Sequence, residues 1–151
     1  MNEKIIVAFN EFYGKREQLL NDVLVGLNPS DYFMLFTIDN YLEKNNIDSI
    51  YVSKIAELLN ISVPAVSKSL KKLEEKKAIK RSIDLFSRRN TSVKITKNGK
   101  DLLKTNNERI TNIVDKILEK VASDDIYKAL GIKKEIENIV TDWSEGNAKV
   151  R

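Results

Sequence analysis

Apolar positions recur along this chain at two spacings, one helical and one alternating. Between residues 3 and 26, Ile5, Phe9, Phe12, Leu19, Leu20 and Val23 keep helical spacing. Gly14 weakens the middle of that helix, and Gly26 is its expected stop. In "LNPSDYF", Asn28 suits an N-cap, Pro29 the first helical position and Asp31 the first turn, where the helix dipole favours an acid. This second helix runs through Phe33, Phe36, Tyr41 and Leu42 and stops at "KNNID". "SIYV" reads as a short β-type stretch. Ser53 is expected to cap a third helix, "KIAELL", which ends at Asn60, a residue that tolerates the left-handed conformation. Ser62 caps a fourth helix with Pro64 in its first turn.

The period changes after Lys77. "IKRSID" and "TSVKIT" alternate and are rich in β-formers, with the basic "LFSRRN" between them, which predicts a β-hairpin. Thr96 then caps a long helix through about Val121, with Leu102, Leu103, Ile110, Ile113, Val114, Ile117, Leu118 and Val121 in steps of three and four. Ser123, Asp124 and Asp125 open a last helix carrying Ile126, Leu130, Ile136, Ile139, Val140 and Trp143. Gly131 interrupts it at about 1 kcal/mol relative to Ala. The fold class is therefore mainly α with a small β-hairpin.

Two of these helices form a unit. Ala56 is small enough for two backbones to approach, Leu59 and Ile61 bracket a tight turn, and Val66, Leu70 and Leu73 recur on one face. That is the skeleton of a helix-turn-helix. At 100° per residue, Pro64, Ser67, Lys68 and Lys71 point away from the apolar stripe, flanked by Ala65 and Lys72. Lys68 and Lys72, four apart, repel by a few tenths of a kcal/mol, so helix stability does not explain them. An ordinary solvated face is one reading. A DNA major groove is the other: small residues at the helix front permit close approach to base edges, and lysines behind them reach phosphates or guanine. The hairpin tip offers Arg88 and Arg89, suited to a narrow minor groove. Arg81, at the hairpin base, and Lys54, at the start of the third helix, are candidate phosphate contacts. Ser62, Pro64 and Ala65 complete the candidate surface.

Composition sharpens the picture. The chain has 151 residues, 42% hydrophobic and 32% charged, enough for one domain with a core. Its net charge of +4 is unevenly spread. Residues 53–100 hold 13 Lys and Arg against 4 Asp and Glu, while the remainder holds 13 against 18. A basic centre between acidic ends is the pattern of a polyanion-binding module. With neither cysteine nor histidine, disulfides, thiol switches and most transition-metal sites are excluded, and most nucleophile and general-base chemistry with them. The expectation is a non-enzyme with no catalytic residues, no metal and no cofactor. No apolar run approaches the roughly 20 residues of a membrane span, and the N-terminus lacks a signal-peptide layout. A cytoplasmic location follows as the expectation.

The stretch "VSKSLKKLEEKKAIKRSIDLFSRRNTSVKITKNGKDLL" resembles the MarR family of winged-helix transcription regulators, and the likeness extends over nearly the whole chain. Leu73, Glu74, Lys76, Arg81, Arg89, Thr96 and Gly99 match the family's pattern. Lys77 stands where the family has glycine, so a left-handed turn there is strained or the helix ends differently. Ser87 replaces an aspartate that braces the wing arginine, leaving Arg89 less fixed, and Ile95 stands for leucine. The resemblance implies a single unit over 1–151: a winged helix-turn-helix over 30–100 and dimerisation helices over 1–27 and 101–151. It implies a homodimer and a pseudo-palindromic double-stranded DNA site with half-sites about one helical turn apart. Ile113, Ile117, Val140 and Trp143 support the dimer independently, because their helices extend beyond a compact winged domain; Ile5 joins them. It also implies a small-molecule effector as a candidate partner. Phe9, Phe12, Tyr13, Phe33 and Phe36 could line its pocket, or could be ordinary core. The reading is a sequence-specific DNA-binding regulator, expected to repress. The alternative is a winged-helix protein–protein module that binds no DNA.

Overall fold

A computed structural model of the chain describes residues 16–83 and 91–148. The elements, in order, are α1 (Arg16–Val23), α2 (Pro29–Asn45), β1 (Ile50–Tyr51), α3 (Val52–Leu59), α4 (Val63–Glu75), β2 (Ile79–Ile83), β3 (Thr91–Ile95), α5 (Lys97–Leu118) and α6 (Ser123–Ala148). They fall into two compact units, Met1–Ile110 and Thr111–Arg151, with the boundary inside α5. Among the described residues, no helix is long and apolar enough to cross a membrane.

The first unit is built around one apolar core. Leu35 and Ile38 of α2, Ile55 of α3, Val66, Leu70 and Leu73 of α4 and Val93 of β3 are fully buried in it. The hairpin expected from sequence is the larger part of a three-stranded antiparallel sheet of order β1-β3-β2. Ile50 and Tyr51 pair with Val93 and Ser92 on one side of β3, and Ile79 through Ile83 pair with Ile95 through Thr91 on the other. The sheet thus ties the start of the helix-turn-helix to the strands that follow it.

Several boundaries follow local chemistry. The Asn28 side chain accepts the Asp31 N–H at 2.8 Å and caps α2, with Pro29 in the first turn. The Thr96 hydroxyl accepts the Gly99 N–H at 3.1 Å and caps α5. Others differ from the sequence expectation. Helix α1 ends at Val23 rather than at Gly26, which sits three residues on at φ 72° in the bend before α2. Helix α3 starts at Val52, so its cap lies two residues before the expected Ser53, because strand pairing of Tyr51 fixes where the extended backbone stops. Its N-cap is Tyr51, which makes no side-chain cap bond. Helix α5 stops at Leu118, and α6 passes through Gly131 unbroken.

Buried polar groups lock the bend before α2 to α5. Asn106, fully buried, accepts the Val25 N–H at 2.8 Å and donates to the Val25 and Leu102 carbonyls at 3.1 and 2.8 Å. Arg109 donates to the Val23 carbonyl, and the Tyr32 hydroxyl donates to Asn107 at 2.7 Å. Lys100 bridges Asp39 and Glu43 of α2, and those two carboxylates raise its pKa above the ordinary lysine value.

The second unit has a different character. From Thr111 to Ser144 no side chain is buried; only Ile126, Lys133 and Ile136 are half-buried. Ile113, Ile117, Leu118, Ile139 and Val140 are between 39% and 62% exposed.

Candidate nucleic-acid interface

The centre of the first unit is a helix-turn-helix whose turn closes by backbone chemistry. Asn60 follows α3 at φ 51°, and the Asn60 and Ile61 N–H groups return to the Glu57 and Ala56 carbonyls at 3.2 and 3.1 Å. Ala56 is buried where α3 and α4 meet. Ser62 then caps α4: its backbone is extended and its hydroxyl accepts the Ala65 N–H at 3.4 Å. Pro64 lies in the first turn, where the N–H it lacks has no helical partner in any case.

Helix α4 divides cleanly by face. Val66, Leu70 and Leu73 are fully buried. Pro64, Ala65, Lys68, Lys71 and Lys72 are exposed and Ser67 is half-buried, as the helical wheel requires. Among the described residues, Lys68, Lys71 and Lys72 enter no salt bridge. Three ammonium groups with no ion-pair partner among the described residues therefore share one helix face.

The exit of α4 is held from three sides. Lys76 donates to the Gly26 carbonyl at 2.7 Å, and its ammonium lies 3.9 Å from the buried Asp31 carboxylate. The Lys77 and Ala78 N–H groups return to Glu74 and Leu73, with Lys77 at φ 56°, so the turn that suits glycine is made by a lysine. Thr96 donates to the Lys77 carbonyl at 2.6 Å and Asn98 to the Lys76 carbonyl at 2.9 Å. Gly99 packs so tightly on this turn that a Cβ would overlap the Ala78 carbonyl oxygen.

Arg81 has a partner the sequence reading did not assign. Its Nε and Nη2 donate to Glu74 Oε2 at 2.8 and 2.5 Å, and its backbone N–H donates to Oε1 at 3.2 Å. These hydrogen bonds hold the Glu74 carboxyl below the ordinary glutamate range. The pair joins the end of α4 to β2. Lys54 is likewise ion-paired, with Glu57 at 2.5 Å, and that hydrogen bond raises its pKa. A phosphate at either place would share a cation already engaged by a carboxylate.

Arg88, Arg89 and Ser87 lie outside the described residues, as do Ile5, Phe9, Phe12 and Tyr13. Phe33 and Phe36 do not belong to the core: they are 46% and 36% exposed, each ring near Tyr32. Of the dimerisation residues, Ile113, Ile117 and Val140 are 39%, 44% and 51% exposed, and Trp143 is 70% exposed.

Two features escaped the sequence reading. Lys80 and Lys94 stand directly opposite each other on β2 and β3, both exposed, a like-charge pair that destabilises a sheet. Their register could be read only once the hairpin was aligned. Beside α4 lies a cavity of about 290 Å³ lined by Tyr51, Val52, Ser53, Val63, Ser67, Arg81 and Thr91. It brings together the start of α3, the front of α4 and the hairpin strands at Arg81 and Thr91, an arrangement that depends on the pairing of β1 with β3.

Known proteins match this architecture. A family model described as a winged helix DNA-binding domain matches residues 36–114. No curated protein sequence matches the chain. Among solved structures, a mutant MarR from E. coli complexed with operator DNA is 17% identical, at a TM-score of 0.68 over 89% of this chain and 91% of that one. The MepR–DNA complex of S. aureus is 17% identical, at 0.64 over 93% and 95%. The transcriptional regulator BldR of Sulfolobus solfataricus is 20% identical, at 0.63 over 91% and 95%. The fold is that of MarR-type winged-helix regulators, and the chain belongs to the winged helix DNA-binding domain family.

Proposed function

We propose that this protein is a cytoplasmic, homodimeric transcription regulator that binds a pseudo-palindromic duplex site and represses. The carrying observation is the α4 face on which Lys68, Lys71 and Lys72 stand exposed and outside any described salt bridge. Like charges so placed raise the energy of the free protein slightly. A polyanion converts that cost into gain by releasing its condensed counterions. Ser67 and Lys68 are assigned to base edges, Lys71, Lys72 and Lys54 to phosphates, and Arg88 and Arg89 to the minor groove. Two related solved structures hold DNA, which supports the same use of this fold. The exposed apolar residues of α5 and α6 support the homodimer. Phe33 and Phe36, exposed beside Tyr32, support a site for a small-molecule effector that relieves repression.

The test is binding to duplexes selected from a random library, followed by anisotropy across a salt series. A dimer contacting about six to ten phosphates should lose about 10³- to 10⁵-fold in affinity between about 50 and 200 mM salt. Lys68→Ala should alter base preference as well as strength, whereas Lys54→Ala should weaken all sequences alike. Salt-insensitive binding, or no binding at low salt, would overturn the proposal. If the chain were instead a protein-binding module, duplexes would be ignored altogether.

A further inference from the structure

The front of α4 carries an apolar patch for which the lysines give no reason. Ile61 is 42% exposed and Val63 46% exposed, and Pro64 and Ala65 beside them are exposed as well. Four of the five residues from Ile61 to Ala65 are thus apolar, with only Ser62 among them, and they sit where a helix front would meet base edges. Val63 also forms one wall of the cavity shared with Tyr51, Ser67 and Thr91, so the patch continues into a recess.

The side chains absent from this helix matter equally. Bidentate reading of guanine uses arginine, of adenine asparagine or glutamine, and cytosine is read by an acid. Between Ile61 and Glu75 there is no Arg, Asn or Gln. The acids there are Glu74, engaged by Arg81, and Glu75, at the far end of the helix. The hydrogen-bonding groups left near the front are Ser67, which suits any base, and Lys68, which suits guanine. The one base feature that matches exposed Val, Pro and Ala side chains is the C5-methyl group of thymine.

We propose that α4 reads thymine methyl groups, through Val63, Pro64 and Ala65 with Ile61 at the edge, and that the preferred duplex carries thymines under the first turn of the helix in each half-site. The proposal rests on the DNA-binding reading above and names what that site recognises. Flanking lysines hold the phosphates while the apolar front takes up the methyl groups, so charge sets affinity and shape sets preference.

Replacing thymine by deoxyuridine removes the methyl group and leaves every hydrogen-bonding group of the base in place. The best duplex from selection is therefore compared with its deoxyuridine counterpart by anisotropy. Burying one methyl is worth about 0.8 kcal/mol, so affinity should fall roughly fourfold for each methyl contacted. Nonspecific binding to an unrelated duplex should not change. The combined Val63→Ser, Ala65→Ser variant, altered only at exposed positions, should lose much of this discrimination between the two duplexes. Equal affinity of the native protein for both duplexes would overturn this proposal while leaving DNA binding intact. Undiminished discrimination in the variant would overturn it too, by placing methyl recognition elsewhere. Failure to bind any duplex would instead remove the reading on which it stands.

Discussion

Among the described residues, three outside glycine occupy the left-handed region: Asn46, Asn60 and Lys77, at φ 51°, 51° and 56°. Each ends a helix, and each N–H returns to a carbonyl of the last turn. Asparagine accepts this conformation through its short polar side chain; lysine gains nothing from it. Lys77 is held there from outside, by the Thr96 hydroxyl on its carbonyl and by Gly99 against Ala78. Lys77→Gly should therefore stabilise the protein by about 0.5–1 kcal/mol, read as a higher urea midpoint at unchanged m-value. A lower midpoint would mean that the Lys77 side chain makes a stabilising contact of its own. Gly99→Ala acts in the opposite sense. A Cβ there overlaps backbone, which cannot give way as a flexible side chain would, so a loss of about 2–3 kcal/mol is expected in the same measurement.

At the scale of elements, α4 and the sheet are joined by Glu74 and Arg81. Arg81 depresses the pKa of Glu74, so the pair's contribution is present above the unfolded-state glutamate value and disappears as pH falls through the folded one. Both side chains are about one-third exposed, so solvent screening holds the contribution below about 1 kcal/mol. Glu74→Gln should thus be less stable than the parent near neutrality, and the two stability curves should converge in acid, once the pH is below the lowered folded-state value of Glu74. Parallel curves throughout would show that the carboxylate charge contributes nothing. This pair also marks what could be read from sequence. Asn28, Ser62 and Thr96 were legible as caps because a cap is made by residues three apart. Val66, Leu70 and Leu73 were legible as a buried stripe because the helical period states it. Glu74 with Arg81, Lys76 with Gly26 and Asn106 with Val25 were not, because each depends on how separate elements pack. The start of α3 was misplaced by two residues for the same reason: the pairing of Tyr51 of β1 with Ser92 of β3, distant along the chain, fixes it. The lysine face was legible and the cavity beside it was not, since its walls come from five separate elements.

For the whole molecule, the question is what stabilises Thr111–Arg151. A helix in isolation is marginal in water, and helical stability in proteins comes mostly from packing an apolar face. Here no side chain from Thr111 to Ser144 is buried, yet Val114, Ile117, Leu118, Val121, Leu130, Ile132, Ile139 and Val140 are all 41–62% exposed. Apolar surface on that scale marks an interaction site. The steps of three and four along α5, and from Ile132 through Ile136 to Ile139 on α6, suit helix-on-helix packing, and in the homodimer proposed above a second copy of the chain would supply matching helices. If folding and association are one event, stability must depend on protein concentration, each tenfold rise adding about 1.4 kcal/mol per dimer. Ile117→Lys and Val140→Lys separate the two cases. In a monomer these exposed positions should tolerate lysine within about 0.5 kcal/mol. In a dimer they should lower the thermal midpoint, shift sedimentation toward the monomer and weaken operator binding, although neither residue lies on α4. A thermal midpoint independent of concentration in the parent, with both variants unchanged, would leave the chain a monomer and would require a different partner for these helices.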